Sequence, residues 1–135
     1  MKRHLPTFLL LTTWVAAFAG TPALAATSPA EQMAGYVAQG GGAAHADRGQ
    51  TFFTTKHGKE WSCSTCHTAT PTAEGKHAST GKVIAPMAPA FNPERFTDVA
   101  KTEKWFRRNC NDVVGRECTS GEKADFLAFL LSFKK

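Results

Sequence analysis

Cys63-Ser64-Thr65-Cys66-His67 places two thiols three positions apart and an imidazole directly after the second. That spacing satisfies three bonds at once: addition of both thiols across the two vinyl groups of a porphyrin, and coordination of its iron by His67. The motif therefore predicts one covalently attached haem c. A bare C-x-x-C also occurs in zinc knuckles and redox dithiols. His67 and the lack of a thioredoxin-like βαβ pattern speak against a dithiol oxidoreductase.

With Cys63 and Cys66 assigned to haem, Cys110 and Cys118 remain of the four cysteines. In an oxidising, exported setting they are expected to form a disulfide, with two buried free thiols as the plainer alternative. A second iron ligand has several candidates. Met87, in Pro86-Met87-Ala88-Pro89, stands in the loop where an ordinary class I cytochrome carries its methionine, and it serves equally well as a flexible apolar filler. Asn109 by itself reads as a helix-ending residue. His45, His57 and His77 sit in polar, Gly- or Thr-rich surroundings and read as solvated side chains. Asn111 reads as a turn residue with Asp112. Lys101, Lys104, Arg107 and Arg108 form a basic group suited to steering an acidic redox partner or reaching a haem propionate, and equally to a solvated helix face.

These residues need a compartment and a scaffold. Lys2, Arg3 and His4 precede an apolar run from Phe8 to Gly20, and Ala23-Leu24-Ala25 has the small-x-small pattern of a secretory cleavage site. The run is too short to span a bilayer. It reads as a bacterial export signal, 1–25, leaving a periplasmic domain over 26–135 with no stable membrane insertion. The chain has 16 basic and 11 acidic residues, a formal charge of +5, and the basic residues of the leader leave with it. Without a concentrated basic face this is not a nucleic-acid protein. A domain this small buries a modest core, which a covalent cofactor would supplement.

The expected scaffold is all-α, helices joined by long loops, with no convincing strand alternation. Ser28-Pro29-Ala30-Glu31 is a capping box with proline at the first helical position. The helix it opens carries Met33, Tyr36 and Val37 on one face and ends at Gly40-Gly41-Gly42. A second helix from Asp47 to about Thr55 sets Phe52 and Phe53 against the core. From Thr68 to Phe96, Pro71, Pro86, Pro89 and Pro93 forbid a regular helix, and so long a loop in a small domain suits wrapping around a porphyrin. Thr97 is expected to cap a helix from Asp98 to about Arg108 with Val99, Trp105 and Phe106 buried. Thr119-Ser120-Gly121-Glu122 opens a last helix to about Phe133, with Phe126, Leu127, Leu130 and Leu131 as its core stripe.

Asp47-Arg48-Gly49 with Phe52-Phe53 ahead of the haem motif, followed by a final amphipathic helix, resembles the class I cytochrome c plan. From Gly75 onward the likeness is closer. Thr80-Gly81-Lys82, Ile84-Ala85-Pro86, Ala88-Pro89, Arg95-Phe96-Thr97-Asp98, Glu103-Lys104, Asn109-Cys110-Asn111, Gly115 with Cys118, and Gly121-Glu122-Lys123-Ala124-Asp125 resemble the small family of monohaem cytochromes containing sphaeroides haem protein (SHP) and cytochrome c″. That resemblance implies a small class I cytochrome c-like fold and maps the family disulfide onto Cys110 and Cys118. It also implies that the residue before the first cysteine of that disulfide, here Asn109, is the sixth iron ligand.

An amide oxygen is neutral, hard and weakly basic, so it suits Fe(III) better than the softer Fe(II). Reduction is then expected to release it, opening a position for O₂, NO or CO, with the freed NH₂ of Asn109 able to donate a hydrogen bond. Two classes are compatible with these residues. One is an electron carrier, for which the resemblance implies a dihaem c-type cytochrome as partner. The other is a binder of diatomic gases or an enzyme acting on O₂ or NO. A carrier gains little from a ligand that must leave on reduction, which favours a redox-gated gas binder that also exchanges electrons. The conventional alternative is a carrier with permanent His67 and Met87 ligation.

Overall fold

A computed structural model describes residues 26–40 and 42–135; the expected leader, 1–25, and Gly41 of the glycine run lie outside the described residues. The architecture is helical: α1 (Pro29–Gly40), α2 (Ala46–Thr54), α3 (Cys63–His67), a two-stranded ribbon of β1 (Gly75–Lys76) and β2 (Val83–Ile84), α4 (Val99–Val113) and α5 (Ser120–Ser132). Among the described residues no helix is long and apolar enough to cross a membrane.

Local chemistry starts the outer helices. The Ser28 amide donates to Glu31 Oε2 at 2.8 Å and the Glu31 amide donates to Ser28 Oγ at 3.2 Å, so two orphan donors of α1 are satisfied reciprocally. Thr119 and Glu122 repeat the arrangement at α5, at 3.2 and 2.8 Å. Arg116 then grips the same Glu122 carboxylate through two nitrogens, at 2.6 and 2.8 Å.

The organising element is α5, against which both α1 and α2 pack. Gly49 allows the α2 crossing: a Cβ there would overlap the Asp125 carbonyl and press on Phe129. Asp125, 8 % exposed, closes the crossing. It accepts from Arg48 Nε at 2.7 Å, from Arg48 Nη2 at 2.8 Å and from the His45 amide at 2.7 Å. Phe53, Leu127 and Leu130 are fully buried at the centre. The aromatic rings form a continuous stack: Phe53 lies 5.9 Å from Phe126, and Phe126 lies 5.4 Å from Phe106 of α4.

Several sequence expectations change in detail. Asp98, not Thr97, caps α4, because Asp98 Oδ1 accepts from the Lys101 amide at 2.8 Å while the Thr97 hydroxyl is spent on the Glu94 carbonyl. The helix also runs past Arg108 to Val113, with no glycine to stop it before Gly115, whose left-handed φ of 83° ends the element. Asn111 and Asp112 are therefore helical rather than in a turn. The buried stripe of α4 is Thr102, Phe106 and Cys110; Val99 and Trp105 are 46 % and 43 % exposed. On α5, Phe129 is buried and Leu131 only partly so. The long loop contains one short antiparallel ribbon, with Gly75 opposite Ile84 and Lys76 opposite Val83. Two residues per strand are too few to show an alternation.

Candidate functional site

Cys63, Cys66 and His67 occupy a single short helix, α3, whose start is set by its neighbours. The Ser62 amide donates to Thr65 Oγ1 at 3.0 Å, and the hydroxyls of Ser62 and Ser64 meet at 2.8 Å. The two positions inside the C-x-x-C motif thus tie down the turn that presents the thiols, a role the motif alone does not reveal. The chain leaves α3 through Thr68, held at φ 63°. A β-branched residue there costs about 1–3 kcal/mol, which the Thr68 hydroxyl partly offsets by bonding the Thr70 carbonyl at 2.8 Å. β1 passes directly beneath, since a side chain at Gly75 would overlap the Cys66 carbonyl.

Both thiols are free and half-buried. Burial pushes the Cys63 thiol up to about 11, so it stays protonated, and the Cys66 sulfur accepts a weak hydrogen bond from the Ala78 amide at 3.4 Å. His67 makes no hydrogen bond through its ring among the described residues, and burial, helped by the charge of Arg95, pushes its pKa down to about 4. The result is a neutral imidazole with its lone pair available. Among the described residues no three His, Cys, Asp or Glu side chains converge as a metal-binding group, which leaves the thiol pair without the further ligands of a tetrahedral zinc site. Two half-buried thiols beside an unengaged neutral imidazole suit a covalent haem.

The other candidates separate clearly. Cys110 and Cys118 are bonded, with Cα atoms 5.7 Å apart. Asn109 is exposed on α4, beside the buried stripe of Thr102, Phe106 and Cys110 and one turn beyond Trp105. Glu103 lies on the opposite flank of that stripe. It accepts from the Tyr36 hydroxyl and from Lys123 Nζ at 2.7 Å, which fastens α4 to α1 and α5. Burial opposes ionisation of Glu103, but Lys123 and Tyr36 outweigh it and hold its carboxyl below the usual range. Burial and the same carboxylate drive the Tyr36 hydroxyl upward.

Met87 is 8 % exposed within the hydrophobic core. Its amide and that of Ala88 both donate to the Pro71 carbonyl, at 3.0 and 2.9 Å, so its backbone is tied to the segment that follows His67. The loop histidines have other partners: His57 bonds the Phe52 carbonyl at 2.8 Å, and His77 Nδ1 accepts from the Thr80 amide at 3.2 Å. His45 is exposed and lends its amide to Asp125. Lys101, Lys104, Arg107 and Arg108 are all exposed on α4, with Arg108 lying over the Trp105 ring at 5.6 Å.

α3 packs beside α2 and β1 rather than against α4. The link between them is aromatic: His67 lies 6.5 Å from Phe53, and the stack continues through Phe126 to Phe106. The helix bearing His67 and the helix bearing Asn109 are thus joined through one run of ring contacts.

Comparison with known proteins agrees with this helical fold. A sequence family described as a domain of unknown function (DUF1924) matches residues 39–130. The chain is 54% identical over 128 residues to the cytochrome c-type protein SHP of Cereibacter sphaeroides, covering 91% of this chain and 95% of that one. It is 48% identical over 83 residues to cytochrome c″ of Methylophilus methylotrophus, covering 62% of this chain and 58% of that one. The solved structure of oxidised SHP, an oxygen-binding cytochrome c, superposes with a TM-score of 0.73 at 53% identity, covering 78% of this chain and 96% of that one.

Proposed function

The chain belongs to the family of SHP and cytochrome c″, and from that premise we propose that it is an exported c-type cytochrome whose distal ligand, Asn109, holds ferric iron and is released on reduction. Its cofactor is covalently bound haem c, which when bound supplies one-electron exchange and, at an open coordination position, affinity for O₂, NO or CO. Cys63 and Cys66 are the thioether anchors, and His67 is the proximal ligand.

The observation that carries the reading is the contrast between Asn109 and Met87. Asn109 projects from the flank of α4 with nothing engaging its amide among the described residues, beside a cysteine that is cross-linked. Met87 is buried, and its backbone is bonded to the Pro71 carbonyl four residues beyond His67. A methionine packed into the core on the His67 segment is a poor candidate for the opposite face of the porphyrin, so it is read as apolar filler.

An amide oxygen gains more from the ferric charge than from the softer ferrous iron. Each tenfold preference of Asn109 for the ferric state lowers the one-electron midpoint potential by about 59 mV. Once released, Asn109 has two N–H donors for a diatomic guest. The disulfide keeps the ligand near its post, so reoxidation recaptures it without refolding. The exposed Lys101, Lys104, Arg107 and Arg108 provide a basic surface for docking a redox partner, read as a dihaem c-type cytochrome. Export places the domain, 26–135, in the periplasm.

The test is the absorption spectrum of the reduced protein with and without CO. High-spin ferrous bands that shift rapidly on adding CO are expected. Low-spin ferrous bands indifferent to CO would instead assign Met87 and a conventional carrier.

A further inference from the structure

Among the described residues, every half-buried or buried charged side chain but one meets an opposite charge: Asp125 meets Arg48, Glu103 meets Lys123, and Glu122 meets Arg116. The exception is Arg95. It is half-buried, and its guanidinium donates only to main-chain oxygens, Nε to Pro86 at 3.1 Å and Nη2 to Ala85 at 2.8 Å. Neutral carbonyls orient a cation but do not neutralise it. Nη1 makes no hydrogen bond among the described residues.

The segment around Arg95 is built to aim it. Asn92 Nδ2 shares the Pro86 carbonyl at 3.1 Å. The next residue, Phe96, is held at φ 60°, an unfavourable conformation for an aromatic residue. Gln32, itself 7 % exposed, keeps it there by donating to the Phe96 carbonyl at 2.8 Å, and the Thr27 amide bonds the Thr97 carbonyl at 3.1 Å. This turn packs the partly buried Phe96 ring against Phe106 and Phe126, while the Arg95 guanidinium reaches the Pro86 and Ala85 carbonyls. The loop it grips is the one whose Met87 and Ala88 amides are bonded to the Pro71 carbonyl, four residues beyond His67.

We infer that Arg95 is the counter-charge of a haem carboxylate, its free guanidinium edge gripping one propionate while Ala85 and Pro86 hold the other edge. A planar fork of N–H donors matches a carboxylate bidentately, which an ammonium does not. The two arginines of α4 are placed otherwise: Arg107 and Arg108 are exposed and lie near Glu117 and Asp112. The inference rests on His67 being the proximal ligand but not on the identity of the distal one.

The test uses the haem-loaded protein with Arg95→Gln and Arg95→Lys, read by the propionate bending band in the resonance Raman spectrum and by the midpoint potential at pH 7. In Arg95→Gln the band is expected to move and the ferric state to gain threefold to tenfold over the ferrous, a fall of about 28–59 mV. In Arg95→Lys the potential is expected to recover while the band stays displaced. If the glutamine variant does not accumulate with haem, the band in the lysine variant decides alone. Variants that retain haem with the band and potential of the parent would overturn the assignment. Failure of the His67 reading shows separately, as a ferric spectrum indifferent to His67→Ala.

Discussion

Asn109 and Cys110 are neighbours in the chain yet face different surroundings: Cys110 is 5 % exposed and bonded to Cys118, while Asn109 stands exposed on the flank of the same helix. One residue is locked, and among the described residues nothing engages the amide of the other. A ligand that must come and go is well placed beside a covalent anchor.

Asn109→Ala removes the proposed distal ligand without touching the core. Its ferric absorption spectrum is expected to become high-spin or water-ligated, with haem still attached. A ferric spectrum identical to the parent's would remove Asn109 from the iron.

Replacing Cys110 and Cys118 together by serine opens a short covalent loop. Chain-entropy arguments give a loss of roughly 2–3 kcal/mol, to be measured by denaturant unfolding of the haem-loaded protein. Because α4 is also held through Glu103 by Tyr36 and Lys123, the helix is expected to survive, with ferric ligation by Asn109 weakened.

Gly49→Ala places a methyl where the Asp125 carbonyl already stands. The α2–α5 crossing must spread, which for an overpacked site costs about 1–3 kcal/mol. A lower unfolding midpoint is expected, with an unchanged ferric spectrum in the fraction that folds.

Acid stability follows from the two anchoring carboxylates. At Asp125, burial opposes ionisation, but Arg48 and the His45 amide outweigh it, and Glu103 is likewise held low against its burial by Lys123 and Tyr36. With folded pKa values depressed, both contribute fully above the unfolded carboxylate pKa of about 4. The contribution is lost as pH falls below that through the folded values, where the unfolded chain takes up protons first. Asp125→Asn is expected to be less stable at pH 7 by roughly 1–3 kcal/mol and to lose less on acidification. Unfolding midpoints measured from pH 7 down to pH 3 check both statements.

Much of this fold is written locally. The boxes at Ser28–Glu31 and Thr119–Glu122 start α1 and α5 where the sequence alone places them, because cap and helix lie within one turn. The haem motif is legible for the same reason. What was not legible depends on distant partners. Val99 and Trp105 look as apolar as Phe106, and only the packing of α4 on Phe126 and Tyr36 selects Thr102, Phe106 and Cys110 as the buried side. The choice of Asp98 over Thr97 is the local exception, since it turned on a competing bond to the Glu94 carbonyl three residues back. Asn109 was visible only through family resemblance, since an asparagine in a helix carries no signal of its own. Arg95 was visible only as part of a motif, because its isolation from any carboxylate among the described residues is a property of the folded chain.

The most direct measurement is a pair of crystal structures of the haem-loaded protein, oxidised and then reduced with dithionite. The Asn109 amide oxygen is expected on the iron opposite His67 in the first and withdrawn in the second. An Asn109 bond that persists after reduction, or a Met87 sulfur on the iron in either state, would contradict the account.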